Sequence, residues 1–323
     1  MCTALTFTQK DRYFGRTLDL EYRYSEEVVI TPRKYTFSRK SGVGFKTDFA
    51  IIGIATVKDN YPLYYDAINE HGLAMAGLNF VENAKFTSSK NGYYNLAQYE
   101  LIPFVLGRAH SVPDAIDLLK RVRLTDEPYD EQTPVSELHY LLADGVKSLA
   151  IEPAEDGLKI YENPFGVLTN NPPFPYHKDN VRNYMNLTAE ESKNNFSNKI
   201  HLSASSRGLG AFGIPGDLSS PSRFVRGAFA VSNAAVKSEE AEAVGQVFHI
   251  LGFVSQPEGL VRLGSSLERT QYAICANLNT GTYYYKTYCN SRITAITMKE
   301  ELKVCDTIST YPLRFTEDIC YGN

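Results

Sequence analysis

The chain has 323 residues, 43% hydrophobic and 22% charged, with a formal net charge of -4. That is ordinary for a globular protein with a sizeable core, in one large domain or two smaller ones. It shows no basic stripe, which argues against a nucleic-acid partner.

The chain opens on Met1-Cys2. Methionine aminopeptidases trim Met when the next side chain is small, as cysteine is. Cys2 would then carry a thiol and a free α-amino group on one Cα. The thiolate is a nucleophile, and a partly neutral amine can take the thiol proton, so no histidine is needed. A two-residue motif is weak evidence by itself, and an ordinary flexible second residue is the commoner outcome. The next seventeen residues strengthen the case. Thr3 to Thr8 alternates like a strand, Tyr13 to Leu18 makes a second run, and Gln9-Lys10-Asp11 is short enough for a hairpin. Cys2 is then held in a sheet. Arg16 and Asp19 lie in or beside the second strand, where an Arg can stabilise a thiolate and an Asp can hold an ammonium. A solvated surface pair is the bland alternative.

Glu27 to Thr31 reads as the next strand. Residues 49 to 56 (FAIIGIAT) read as a strand buried on both faces. Tyr64 to Ile68 and Leu73 to Phe80 flank a turn at Asn69-Glu70-His71-Gly72. Asn79 ends this buried run and needs polar partners; a reacting carbonyl oxygen would be one. Leu96 to Leu106 has helical composition with Pro103 as a kink, and Ser111-Val112-Pro113-Asp114 opens another helix. Residues 124 to 137 form a long polar loop, a kind that often lines a site. Strands are predicted at 138–142, 148–152, 158–161 and 166–169, the last ending in Asn170-Asn171-Pro172-Pro173. Residues 188 to 222 read mostly as loop. A helix over 238–252 presents Val244, Val247, Phe248 and Leu251 to the core. Strands at 271–278, 282–287 and 292–298 close the chain. With no repeat and no flexible linker, this order favours one α+β layered domain over residues 1–323.

Other patterns carry less. The five cysteines are odd in number and lack CxxC spacing, so neither a disulfide framework nor a zinc site is expected. The six histidines show no paired metal spacing. No metal or cofactor is expected. Gly208-Leu209-Gly210-Ala211-Phe212-Gly213 matches G-x-G-x-x-G, but a turn comes next where a dinucleotide site needs a helix. No GxSxG elbow is present. No signal peptide precedes Cys2, and no run approaches the roughly 20 apolar residues of a membrane span. The sequons at Asn186 and Asn195 are then idle, and the expected location is cytoplasmic.

Several segments resemble the choloylglycine hydrolase family of conjugated bile salt hydrolases and penicillin V acylases, which are N-terminal nucleophile hydrolases. They are Met-Cys-Thr at the start, Tyr13-Phe14-Gly15-Arg16 with Asp19, Tyr61-Pro62, and Ala76-Gly77-Leu78-Asn79-Phe80. Gly166 to Pro172, Pro215-Gly216-Asp217, Ser222 to Arg226 and Tyr283-Tyr284-Tyr285 complete the set, which covers essentially the whole chain. The resemblance implies an αββα four-layer sandwich and a homotetramer. It implies Cys2 as nucleophile with its own amine as base. Arg16 and Asp19 would hold the thiolate and the amine, Asn79 and Asn170 would form the oxyanion hole, and Arg223 would support the site. Asn171 competes with Asn170 for its role. Asn79 inclines the reading to bile salts, because the penicillin acylases typically carry Tyr there.

The expected reaction is hydrolysis of glycine- or taurine-conjugated bile salts through a Cys2 thioester. Leu18, Tyr65 and the loop 124–137 are expected walls of the acyl groove. Arg207 is the candidate contact for the amino-acid acid group, with a lean toward taurine. The competing readings are a penicillin V acylase with the same chemistry and a non-catalytic sterol- or acyl-binding protein.

Overall fold

The computed structural model describes residues 1–38 and 44–322. Side-chain alternation builds its two large sheets. Cys2–Thr8 and Arg12–Leu20 form the expected antiparallel hairpin, with the turn at Gln9-Lys10-Asp11. Their register pairs Cys2 with Leu18 and Ala4 with Arg16, so these four side chains share one face. Thr3, Thr17 and Asp19 take the other face. Val167–Leu168 pairs outside the first strand, and Ser266–Asn277 outside the second. Thr282–Thr287 and Asn290–Thr297 extend the sheet to its far edge. Cys2 therefore starts an interior strand of a seven-stranded sheet.

The second sheet has eight strands. From one edge they run Gly157–Glu162, Ser148–Ala154, Leu138–Ala143, Ala74–Asn79, Tyr61–Asn69, Ile51–Lys58, Glu27–Thr31 and Ser309–Pro312. Val28, Ile30, Ile52, Ile54, Ala76 and Leu78 pack against the first sheet. Val29, Ile51, Met75 and Leu142, one residue out of phase, pack against the helices Leu101–Leu106 and Val112–Leu119. The first sheet turns its outer face to the helices Ser220–Asn233 and Glu240–Gly252. Gly15 is needed there, since a Cβ would sit 3.1 Å from Val247 and 3.2 Å from Leu5. The order is helix, sheet, sheet, helix, the four-layer α+β sandwich that the resemblance implies.

Local departures have physical reasons. Residues 96–106 do not form one helix. Tyr94–Ala97 is a strand, Gln98–Glu100 a 3₁₀ turn, and Leu101–Leu106 the helix. Pro103 lies in that helix's first turn, where a missing N–H costs nothing. The loop begins after Thr125, because Val122–Thr125 is a strand. The helices Phe174–Asn180 and Ser220–Asn233 have no counterpart in the sequence reading. In the second, Arg223 and Arg226 occupy buried positions, which hides the apolar stripe. A 3₁₀ turn at Leu209–Ala211 occupies the G-x-G-x-x-G segment.

Candidate active site

Cys2 is 2% exposed, and partners reach it from two layers. From its own face comes Arg16, whose Nη2 lies 3.4 Å from Sγ. The same guanidinium donates to the carbonyls of Tyr65 (2.6 Å) and Gly77 (2.8 Å) and to Asp66 Oδ2 (2.9 Å), all on the second sheet. Burial works against the Arg16 charge, but Tyr272, Cys2 and Asp66 together hold its pKa above the ordinary value. From the helical side comes Arg223. Its Nη1 donates to the Cys2 carbonyl (2.6 Å) and Thr3 Oγ1 (2.7 Å), and its Nη2 to Asn170 Oδ1 (2.7 Å). Burial pulls the Arg223 pKa below its ordinary value, against the attraction of Asp19, Cys2 and Glu268.

Asn170 is the junction. Its Oδ1 accepts from the Cys2 nitrogen at 2.9 Å, and its Nδ2 donates to the Asn79 carbonyl at 2.8 Å. One Nδ2 hydrogen therefore remains for another acceptor. Its backbone is pinned as well. The amide donates to Ser220 Oγ (2.8 Å), and the carbonyl accepts from His177 Nε2 (2.8 Å). His177 is fully buried and stacks on Phe224, and burial pushes its pKa down to about 4. It is thus a neutral donor at neutral pH. Asn171 Nδ2 bonds the Val81 carbonyl at 2.6 Å, so Asn170 is the asparagine of the pair that touches Cys2.

Asp19 is buried on the opposite face of its strand from Arg16. Its carboxylate accepts from Thr270 Oγ1 (2.7 Å) and Thr17 Oγ1 (3.3 Å), while the Cys2 nitrogen bonds Asn170 instead. Met1 is present in this structure, so that nitrogen is an amide. The Met1 ammonium sits on the Asp19 carbonyl and on Glu268 Oε1 at 2.6 Å. Burial raises the Glu268 pKa, with the terminal ammonium opposing it.

A cleft of about 370 Å³ opens over Cys2, within the size range of small-molecule sites. Arg16, Leu18, Tyr65 and Asn79 line it, together with Tyr22 and Tyr24. Gln132, Thr133, Pro134 and Ser136 line it too, so the long polar loop does border the cleft. Lys58 ties that loop down, with Nζ 3.3 Å from Asp130 Oδ2 and the Lys58 carbonyl accepting from Tyr129 OH at 3.1 Å. Arg207 is exposed and is not part of the cleft lining. Asp66, Thr3, Ser220, His177 and Glu268 are site-forming residues that the sequence reading missed. The available signal was a charged or polar residue inside an otherwise buried stretch, most plainly Asp66 in Tyr61–Asn69. Among the described residues, no group of three or more His, Cys, Asp or Glu could hold a metal ion. No helix among them is long and apolar enough to cross a membrane.

Residues 2–311 match the family model described as linear amide C-N hydrolases, choloylglycine hydrolase family. The chain is 44% identical to a bile salt hydrolase/transferase of Lactiplantibacillus plantarum over 97% of both chains. It is 34% identical to a bile salt hydrolase/transferase of Clostridium perfringens over the full length of both. The crystal structure of a mutant conjugated bile acid hydrolase from Clostridium perfringens superposes with a TM-score of 0.91 at 33% identity, covering all of both chains. Penicillin V acylase from Agrobacterium tumefaciens, 18% identical, gives 0.76 over 96% of this chain and 90% of that one, a likeness of fold. A sandwich of this kind, with matches along nearly its whole length, makes the chain a member of the choloylglycine hydrolase family and an amide-bond hydrolase.

Proposed function

We propose that the protein hydrolyses the amide bond of glycine- or taurine-conjugated bile salts, with Cys2 as nucleophile after removal of Met1. The carrying observation is that the Cys2 sulfur faces a 370 Å³ cleft walled by Leu18, Tyr65 and other tyrosines. Such walls suit a steroid with an apolar body and a few hydroxyls. In the mature chain the Cys2 nitrogen becomes an amine, and Asn170 Oδ1 already lies 2.9 Å from it. The amine takes the thiol proton, and the sulfur attacks the amide carbonyl. The oxyanion is received by the Asn79 side chain and the remaining Asn170 Nδ2 hydrogen; one such donor is worth roughly 10² to 10³ in rate. Collapse expels the amino acid, whose nitrogen takes the proton from the Cys2 ammonium. Water then attacks the thioester, releasing the bile acid and restoring the thiol. Arg16 and Arg223 fix the sulfur and the backbone behind it, and Asp19 fixes the strand end. Arg207 lies outside the cleft, so the lean toward taurine that it suggests in sequence has no support from the site.

A homotetramer and a cytoplasmic location complete the proposal. Met185, Phe196, Leu202 and Phe212 stand exposed on one long segment, which suits burial between subunits. All five cysteines are free, which suits a reducing compartment. The decisive experiment measures taurine and glycine release from a panel of conjugated bile salts by the mature protein, with phenoxymethylpenicillin in parallel. The expected result is bile-salt turnover that Cys2→Ser abolishes without loss of fold. A large kcat/KM preference for the penicillin, or full activity in Cys2→Ser, would overturn the proposal.

A further inference from the structure

We propose that Asp66 is the positioning residue for Arg16, holding the guanidinium so that one N–H is directed at the Cys2 sulfur. The inference rests on Cys2 being the nucleophile. Arg16 is 1% exposed and Asp66 is wholly buried. Each Arg16 Nη carries two hydrogens, and all four are committed. Three go to the Tyr65 carbonyl, the Gly77 carbonyl and Asp66 Oδ2, and the fourth to Sγ. Asp66 is the only charged group among these anchors.

Asp66 is itself held from the opposite sheet. Tyr272 OH donates to Oδ2 at 2.9 Å, and Tyr283 OH donates to Oδ1. Burial, reinforced by the Asp66 charge, raises both phenols well above their ordinary pKa, so they remain donors at any working pH. These bonds spread the carboxylate charge, and the Arg16 charge remains effective at the sulfur.

The reaction gives this pair a reason to exist. Forming the thioester removes any charge from the sulfur, while Arg16 stays buried and protonated. A buried cation without a partner is expensive. Asp66 accompanies Arg16 through every step, so the guanidinium need not move when the thioester forms or is cleaved.

The test uses Asp66→Asn, which keeps the shape and removes the charge, and Tyr283→Phe, which keeps the charge and removes one donor. Folding is checked by circular dichroism and thermal melting. The two readouts are the rate of Cys2 alkylation by iodoacetamide at pH 7, from intact mass, and kcat and KM on taurocholate. In folded Asp66→Asn, alkylation is expected to slow about tenfold and kcat to fall roughly 10²-fold with KM nearly unchanged. Tyr283→Phe is expected to move both in the same direction by less. A residue that merely supports the fold would shift the melting temperature and leave alkylation at the parental rate. Parental alkylation and kcat in folded Asp66→Asn would overturn the proposal; if that variant does not fold, parental values in Tyr283→Phe would do so. Alkylation needs no substrate, so a parent that fails to hydrolyse bile salts leaves this test intact.

Discussion

Replacing Arg223 by Met tests how Cys2 is held from behind. Methionine fills much of the same volume without donors. The change strips the Cys2 carbonyl, Thr3 Oγ1 and Asn170 Oδ1 of partners at 2.6 to 2.7 Å, and the Leu218 carbonyl of one at 3.0 Å. A buried acceptor left unpaired costs about 1–3 kcal/mol, so the three inner ones sum to roughly 3–9 kcal/mol. Two effects offset this. Asn170 Oδ1 keeps the Cys2 nitrogen, and the variant no longer buries a cation that burial already disfavours. The net is about 2–4 kcal/mol, which lowers the melting temperature of a chain this long by roughly 3–6 °C. The larger effect falls on rate. With Asn170 free to turn and the Cys2 carbonyl unpinned, displacement of the order of 1 Å at the sulfur costs about 10² in kcat. Thermal melting and steady-state hydrolysis of taurocholate read the two effects. A folded Arg223→Met protein with kcat within threefold of the parent would refute the reasoning.

His177 gives a pH prediction. Its folded pKa is depressed from 6.5 to about 4 by burial, so its contribution is present above pH 6.5 and lost as pH falls toward 4. The shift corresponds to about 3 kcal/mol. Urea midpoints of the parent should fall steeply across that window, and His177→Gln should flatten the slope; equal slopes would contradict it. Lys58→Met frees the loop wall by removing the strand-side partner of Asp130, and should raise KM severalfold while leaving kcat within twofold, read from Michaelis curves. At Gly53 an added Cβ would sit 2.1 Å from the Asp66 carbonyl. Gly53→Ala should therefore cost about 1–3 kcal/mol or more in denaturant titration and slow Cys2 alkylation, because the strand carrying Asp66 must shift.

The first hairpin was legible because everything that shaped it was local. A three-residue connection fixed the register, and period-two alternation put Cys2, Arg16 and Leu18 on one face. Asn79 was legible as a polar residue closing a buried run. The supporting residues were not, because their partners lie far along the chain. Tyr272 and Tyr283 meet Asp66 across 206 and 217 residues. In sequence, Tyr272 reads as one more aromatic in a strand, and the Tyr283-Tyr284-Tyr285 run carries a resemblance without naming a partner. The helix Ser220–Asn233 escaped for a related reason: buried arginines break an apolar stripe, yet hydrogen bonds to backbone carbonyls make those positions interior. Arg207 shows the opposite case, exposed and outside the cleft lining. Its charge was visible, but a loop residue carries no pattern that says where its side chain points.

The site spans layers, and that accounts for its residue types. The sulfur is addressed from the inter-sheet face by Arg16, anchored on the second sheet; the Cys2 carbonyl is addressed from the helical face by Arg223. A single strand end is therefore clamped by two guanidiniums reaching it from different layers. Lysine could not do this, because one ammonium offers three hydrogens from a single point, whereas each guanidinium spreads its donors over a rigid fork. Each fork joins Cys2 to groups far away in sequence: Arg16 to Asp66 and Gly77, Arg223 to Asn170 and Leu218. The cysteine is thus fixed only when both sheets and the outer helix are docked, and an N-terminal residue that would otherwise fray becomes as well placed as one in the middle of a strand.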